Sequence, residues 1–126
     1  MLLLSDPHDV QAVQDPEVRA LLSRRFVEIA DGEDYDPAVF GYFVLAQAGD
    51  SIEAIERATG VSWAGALDGF LHGWEVITEH PCCYEAVFVL DDTGYGVDVL
   101  VPKHQDIDAR LLGVCSAYAI PEPPTS

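Results

Sequence analysis

Four histidines, three cysteines and twenty-two carboxylates are the groups in this chain with chemistry to offer. The tightest grouping is His80-Pro81-Cys82-Cys83. On spacing it could begin a metal site, but a tetrahedral site needs a fourth ligand, and the chain has no H-x-x-x-H or C-x-x-C element to supply it. The plainer reading is a helix-end histidine near the last carbonyls, followed by two small residues that lead into a strand. A vicinal disulfide at Cys82-Cys83 would require a strained ring and an oxidising compartment. A nucleophilic cysteine needs a base in reach and a third group to orient it. Cys82 or Cys83 with His72, His80 or His104 is the sole candidate dyad, and the surrounding acid would raise a thiol pKa. Cys115 sits on a helical apolar stripe and reads as buried filler. No Gly-x-Ser-x-Gly element occurs. The expectation is a protein that is not an enzyme, with no catalytic residue, no metal and no cofactor.

The acids are densest at Asp31-Gly32-Glu33-Asp34-Tyr35-Asp36. A calcium loop of the EF-hand type starting at Asp31 would place Gly at 36 and Glu at 42; the chain has Asp36 and Tyr42. A solvated acidic loop is the better reading, and it offers a landing site for a basic partner. Asp91-Asp92-Thr93-Gly94-Tyr95-Gly96 holds a Gly-x-Gly without a basic residue or a following helix, so it is no phosphate cradle. The six basic residues, Arg19, Arg24, Arg25, Arg57, Lys103 and Arg110, form no dense patch for nucleic acid. Arg24 and Arg25 are expected to pair with Glu28 or the acidic loop. Trp63, Phe70 and Trp74 lie in a glycine-rich stretch, where they either cap the core or form an aromatic contact patch.

The formal net charge is −16 over 126 residues. Such a field repels nucleic acid and anionic membrane surfaces and favours basic partners. The charge is evenly spread, twelve acids against four bases in residues 1–63 and ten against two in 64–126, which is −8 in each half. With 49% hydrophobic residues the charge coats a folded body; disordered acidic chains lack such residues. The start, Met1 to Asp6, has no basic n-region, and no apolar run reaches the ~18 residues that span a bilayer. An odd number of cysteines gives no disulfide framework. The chain therefore reads as soluble and cytoplasmic.

These groups must be positioned by a small α/β fold. One domain, 1–126, is expected, with an arm at 1–14 (or a short helix there) and a frayed end at 121–126. Asp15-Pro16 opens a helix with a stripe of Val18, Leu21, Leu22, Phe26 and Ile29, stopped by Gly32. Phe40 to Gln47 reads as a strand. Asp50 caps a second helix, with Glu53 completing a capping box and Gly60 closing it. Residues 61–73 read as an ordered loop, and Trp74 to His80 as a short helix ended by Pro81. Tyr84–Leu90 and Tyr95–Val101 form a hairpin. In its second strand Asp98 shares a face with Gly96 and Leu100, which suggests a face only partly covered. Asp106 or Asp108 caps the last helix, with a stripe of Leu111, Leu112, Cys115, Tyr118 and Ala119. The predicted architecture is a three-stranded mixed sheet with a β-hairpin in the C-terminal half and helices mainly on one face.

Residues 42–60 (YFVLAQAGDSIEAIERATG) and 84–118 (YEAVFVLDDTGYGVDVLVPKHQDIDARLLGVCSAY) resemble small, uncharacterised acidic proteins of bacteria, some associated with mobile elements. The resemblance covers a little under half of the chain and assigns no catalytic residue.

Two functional expectations follow. The first is a non-enzymatic acidic protein that inhibits or neutralises a basic partner, as an immunity protein does a nuclease toxin or a nucleic-acid mimic a DNA-binding protein. Asp31, Glu33, Asp34, Asp36, Asp91 and Asp92 would carry the contacts, with Trp63 or Phe70 as apolar anchor. The second is a regulatory or accessory module that uses an open sheet face or edge to form a homodimer or bind a subunit. An enzyme or metal-dependent sensor resting on His80, Cys82 and Cys83 is the least favoured.

Overall fold

The computed structural model describes residues 1–31, 40–60, 75–89 and 96–122. The chain starts with a short strand, β1 (Leu2–Leu4), and a 3-10 turn over Pro7–Ala12. Asp6 caps that turn by accepting from the His8 amide, while Asp9 reaches back to the Asp6 amide, so the capping-box pattern fixes the entry. The segment expected to be an arm or a short helix is thus a short strand followed by a 3-10 turn. Helix α1 (Pro16–Asp31) follows, with Asp15 accepting from the amides of Glu17 and Val18 and proline in the first turn, where its missing N–H costs nothing. The next elements are β2 (Phe40–Leu45), α2 (Ile52–Thr59), β3 (Glu75–Glu79), β4 (Cys83–Val89), β5 (Gly96–Pro102), α3 (Ala109–Tyr118) and β6 (Ile120–Pro121).

The six strands form one mixed sheet in the order β1-β2-β5-β4-β3-β6. The expected three-stranded sheet is therefore corrected to six strands. The mixed α/β class and the antiparallel β4–β5 pair hold. Three signals were read differently from sequence. Residues 1–4 contribute an edge strand. Residues 75–79 form a strand paired with β4, where a helix was expected, since Val76, Ile77 and Thr78 are β-branched and favour a pleated surface. Ile120–Pro121 adds a last edge strand parallel to β3.

Helices also cover both faces of the sheet, and not mainly one. On one side α1 and the 3-10 turn bury Val13, Val18, Leu22, Phe43 and Leu100. On the other, α2 and α3 bury Ile55, Phe88, Val99 and Leu111. Every residue of β5 is buried, Asp98 included, so Asp98 marks a covered face and not a half-open one. Both faces of the sheet carry helices among the described residues, while β1 and β6 form its edges.

Helix α1 follows its predicted stripe: Val18, Leu21, Leu22 and Ile29 are buried, and Phe26 meets Phe43 edge-on with ring centroids 4.9 Å apart. Helix α2 is capped by Ser51, whose hydroxyl accepts from the Ala54 amide, and not by Asp50, which accepts from the Gln47 amide. Gly60 ends α2 in the left-handed conformation at φ 76°, where a Cβ would be strained. Asp108 caps α3, and Val114 joins Leu111 and Cys115 on its buried face while Tyr118 is exposed. No helix of the described residues is long and apolar enough to cross a membrane.

Phe43 is fully buried at the junction of β2 with α1. Phe43→Ala should lower unfolding free energy by about 3–5 kcal/mol in urea denaturation, from lost transfer energy and the cavity left behind. Leu3→Ala, at an exposed edge position, should change it by less than about 0.5 kcal/mol.

Candidate functional site

The main concentration of titratable groups among the described residues lies between α1 and the sheet. Glu85 points from β4 toward α1 and is 1% exposed. Arg25 of α1 reaches it with Nε at 3.0–3.1 Å from both carboxylate oxygens and Nη2 at 2.8 Å from Oε1, a forked geometry that ammonium cannot match. Arg25 also donates to Glu28 one turn along its own helix. His80 lies in the turn between β3 and β4, and its backbone N–H donates to the Cys83 carbonyl. Its ring spans two carboxylates: Nε2 is 2.8 Å from Glu85 Oε1, and Nδ1 is 2.8 Å from Glu122 Oε2. Glu122, just past β6, also takes a hydrogen bond from Arg24 at 2.8 Å.

An imidazole whose two nitrogens both face carboxylates donates to both when it carries two protons. Burial works against its charge, yet the hydrogen bonds to Glu85 and Glu122 outweigh it and raise the pKa of His80 above its ordinary 6.5. Burial likewise opposes the Glu85 charge, but hydrogen bonds with Asp98, His80 and Arg25 hold that carboxyl far below the usual carboxylate range. Asp98 of β5 lies in hydrogen-bond contact with the Glu85 carboxyl. Glu122 is also lowered; its partial burial is overcome by His80 and then by the arginines.

This arrangement overturns the expected place of His80 at a helix end. It also leaves the ring no free nitrogen for a metal, and no cluster of three or more His, Cys, Asp or Glu among the described residues could hold one. Cys82 and Cys83 are buried free thiols with sulfur atoms 3.8 Å apart, at the start of β4. Burial raises the pKa of both, which opposes thiolate formation. Cys115 is pushed up to about 12 by burial alone. His8 and His104 are exposed, and His72 lies outside the described residues.

A second carboxylate–guanidinium clasp joins the starts of α2 and α3. Arg110 donates to Glu53 and Asp108, while Asp108 accepts from the Ile52 amide across the two helices. The hydrogen bond from Arg110 holds the Asp108 carboxyl down to about 2. Lys103 pairs with Glu79 and lies over the Tyr84 ring, and Arg19 donates to the Val13 carbonyl. Arg24 and Arg25 pair as expected for Arg25 with Glu28, but their other partners, Glu122 and Glu85, come from distant parts of the chain.

The predicted contact residues Glu33, Asp34, Asp36, Trp63, Phe70, Asp91 and Asp92 lie outside the described residues, and Asp31 is the last residue of α1. Their anchors are described. Phe40 pairs with Gly96, Val89 pairs with Gly96, and Glu75 pairs with Phe88. Tyr42 Oη donates to the Ala58 carbonyl, so the end of α2 sits over the start of β2. Segments 32–39, 61–74 and 90–95 thus attach at one end of the sheet. Comparison with protein-family models, with curated proteins and with solved structures gives no match.

The network sets a pH window. His80, raised in the folded state, contributes stability that is full below 6.5 and lost as pH rises through its folded value. Glu85 and Glu122, lowered, contribute stability that is full above 4.5 and lost as pH falls through theirs. The network's contribution should therefore peak between pH 4.5 and 6.5, read from urea midpoints across pH. Arg25→Met should cost about 3 kcal/mol at pH 6, because it strips one of the cations from a buried carboxylate.

Proposed function

We propose that this chain is an acidic binding protein that captures a basic protein partner and blocks that partner's own anionic target, in the manner of an immunity protein or a nucleic-acid mimic. The observation that carries the reading is where the charge goes. Five of the six basic side chains are engaged by the protein itself: Arg24, Arg25, Lys103 and Arg110 by carboxylates, and Arg19 by backbone carbonyls. Segments 32–39, 61–74 and 90–95, anchored at one end of the sheet, carry Glu33, Asp34, Asp36, Asp68, Asp91 and Asp92 and no Lys or Arg. They also carry Tyr35, Trp63, Phe70, Trp74 and Tyr95. Carboxylates that steer, with aromatics that anchor, suit an interface for a cationic partner. Asp31, at the end of α1, belongs to the same end of the molecule.

The same distribution supports a protein that performs no chemistry of its own. The thiols are buried with raised pKa values, and His80, the one buried histidine among the described residues, holds two carboxylates of the same chain. A cytoplasmic home fits free cysteines, and no membrane or nucleic-acid contact is proposed.

Charge reversal tests the reading. Asp34, Asp36, Asp91 and Asp92, changed together to lysine, should abolish recovery of a basic protein that the unaltered chain captures from nuclease-treated lysate at ~50 mM salt and releases at ~500 mM. Glu17→Lys with Asp106→Lys, exposed positions elsewhere in the described structure, should leave capture within about twofold. Equal capture by the two variants, or capture of no basic protein, sinks the proposal.

A further inference from the structure

We propose that His80 is a proton-operated latch on the C-terminal strand: doubly protonated it ties Glu122 down, and loss of its Nδ1 proton releases residues 120–122 from β3. The inference is independent of the partner-binding reading and rests on the geometry of one ring.

Strand β6 is two residues long and lies at the edge of the sheet, paired among the described residues only with β3 through Thr78–Ile120 and Glu79–Pro121. Ile120 is 62% exposed, so the strand gains little from burial of its own side chains. What holds it are the Glu122 amide, which donates to the Glu79 carbonyl at 3.1 Å, and the Glu122 carboxylate, which accepts from Arg24 and His80. Arg24 is 42% exposed and its pair is screened by solvent, so the buried His80 contact is the stronger tie.

A neutral imidazole keeps one N–H and presents a lone pair on the other nitrogen. The groups around the ring decide which contact survives. Glu85 from β4 is fully buried, with Asp98 of β5 behind it. Helix α1 contributes Arg25, which forks onto Glu85 and donates to Glu28, and Arg24, which reaches Glu122. Glu17 of α1 lines the cavity beside the ring. The Glu85 carboxylate cannot move to water, so the remaining proton stays on Nε2. The lone pair then faces the Glu122 carboxylate at 2.8 Å, a repulsive contact. Glu122 is a quarter exposed and can swing out. Its departure takes the backbone donor from Glu79 and bares the edge of β3, which is a template for another strand. It also opens one side of a cavity of about 490 Å³ walled by Ala20, Leu21, Pro81 and Cys82.

Linkage makes the claim quantitative. Each unit by which docking raises the imidazole pKa changes the docking equilibrium about tenfold. The test follows the Glu122 amide by hydrogen exchange, as a protection factor corrected for intrinsic rate, and the His80 ring by NMR, in the full chain from pH 5.5 to 9. Protection at Glu122 should fall about tenfold or more, with the midpoint of the ring titration, while the Val97 and Val99 amides of β5 stay protected. In Glu122→Gln the carboxamide can accept from Nδ1–H or donate to bare Nδ1. Its protection should not follow pH, whether high or low throughout, and His80 should titrate at lower pH than in the unaltered chain. The proposal is overturned if Glu122 protection is unchanged while the ring titrates. It is also overturned if Glu122→Gln loses protection along the same profile as the unaltered chain.

Discussion

A carboxylate buried between a helix and a sheet is the constraint around which this molecule is arranged. Glu85 is removed from water at a position where an apolar residue would satisfy the packing, next to Leu100 in the register of β4 with β5. Burial of an isolated charge is costly enough that it must be answered locally. The answers come from four separate parts of the chain: Arg25 from α1, His80 from the β3–β4 turn, Asp98 from β5 and, through His80, Glu122 from the C-terminal end. These groups fix the placement of α1 over the sheet more narrowly than its apolar stripe could, since hydrophobic contact tolerates sliding and a forked ion pair does not.

The same logic extends outward. Basic residues are scarce, and most are committed to joints: Arg110 where α2 meets α3, Lys103 between β3 and β5, Arg19 at the entry to α1. The negative field of the molecule is thus the residue of an internal economy as well as an excess of acid. Segments 32–39, 61–74 and 90–95 carry six acids and no Lys or Arg in sequence.

Much of the fold was legible. The stripe of α1, the β2 strand, Gly60 and the β4–β5 pair are local patterns with local causes, and each lies where the sequence put it. What was not legible is long-range. Leu2–Leu4 carries no sheet signal by itself and becomes a strand because Leu4 finds Phe43. Residues 75–79 look helical when His80 and Pro81 are taken as a stop, although Val76, Ile77 and Thr78 carried the opposite signal. Asp98 is the instructive case. An acid in an apolar strand suggested an open face, whereas it sits beside a second buried acid whose cations lie elsewhere in the chain. No spacing rule links Arg25, His80, Glu85 and Glu122. The sequence did flag His80 and Cys82-Cys83, but for metal and thiol chemistry; the ring's true partners are carboxylates. The acidic and aromatic residues proposed for partner contact rest on composition alone, and all but Asp31 lie outside the described residues.

The order of the sheet has a consequence for how the chain is made. Its central strand, β5, pairs in parallel with β2, and Phe40 meets Gly96 across nearly half of the sequence. During synthesis the apolar run Phe43-Val44-Leu45 therefore emerges long before its neighbour β5 exists, with only the three-residue β1 made to cover its other edge. Pairings of this kind form slowly, because loop closure precedes any reward. A nascent chain in that interval is open to association with others like itself. Twelve acids in residues 1–63 give such unfinished chains a strong mutual repulsion, so the charge that coats the finished protein also guards its assembly.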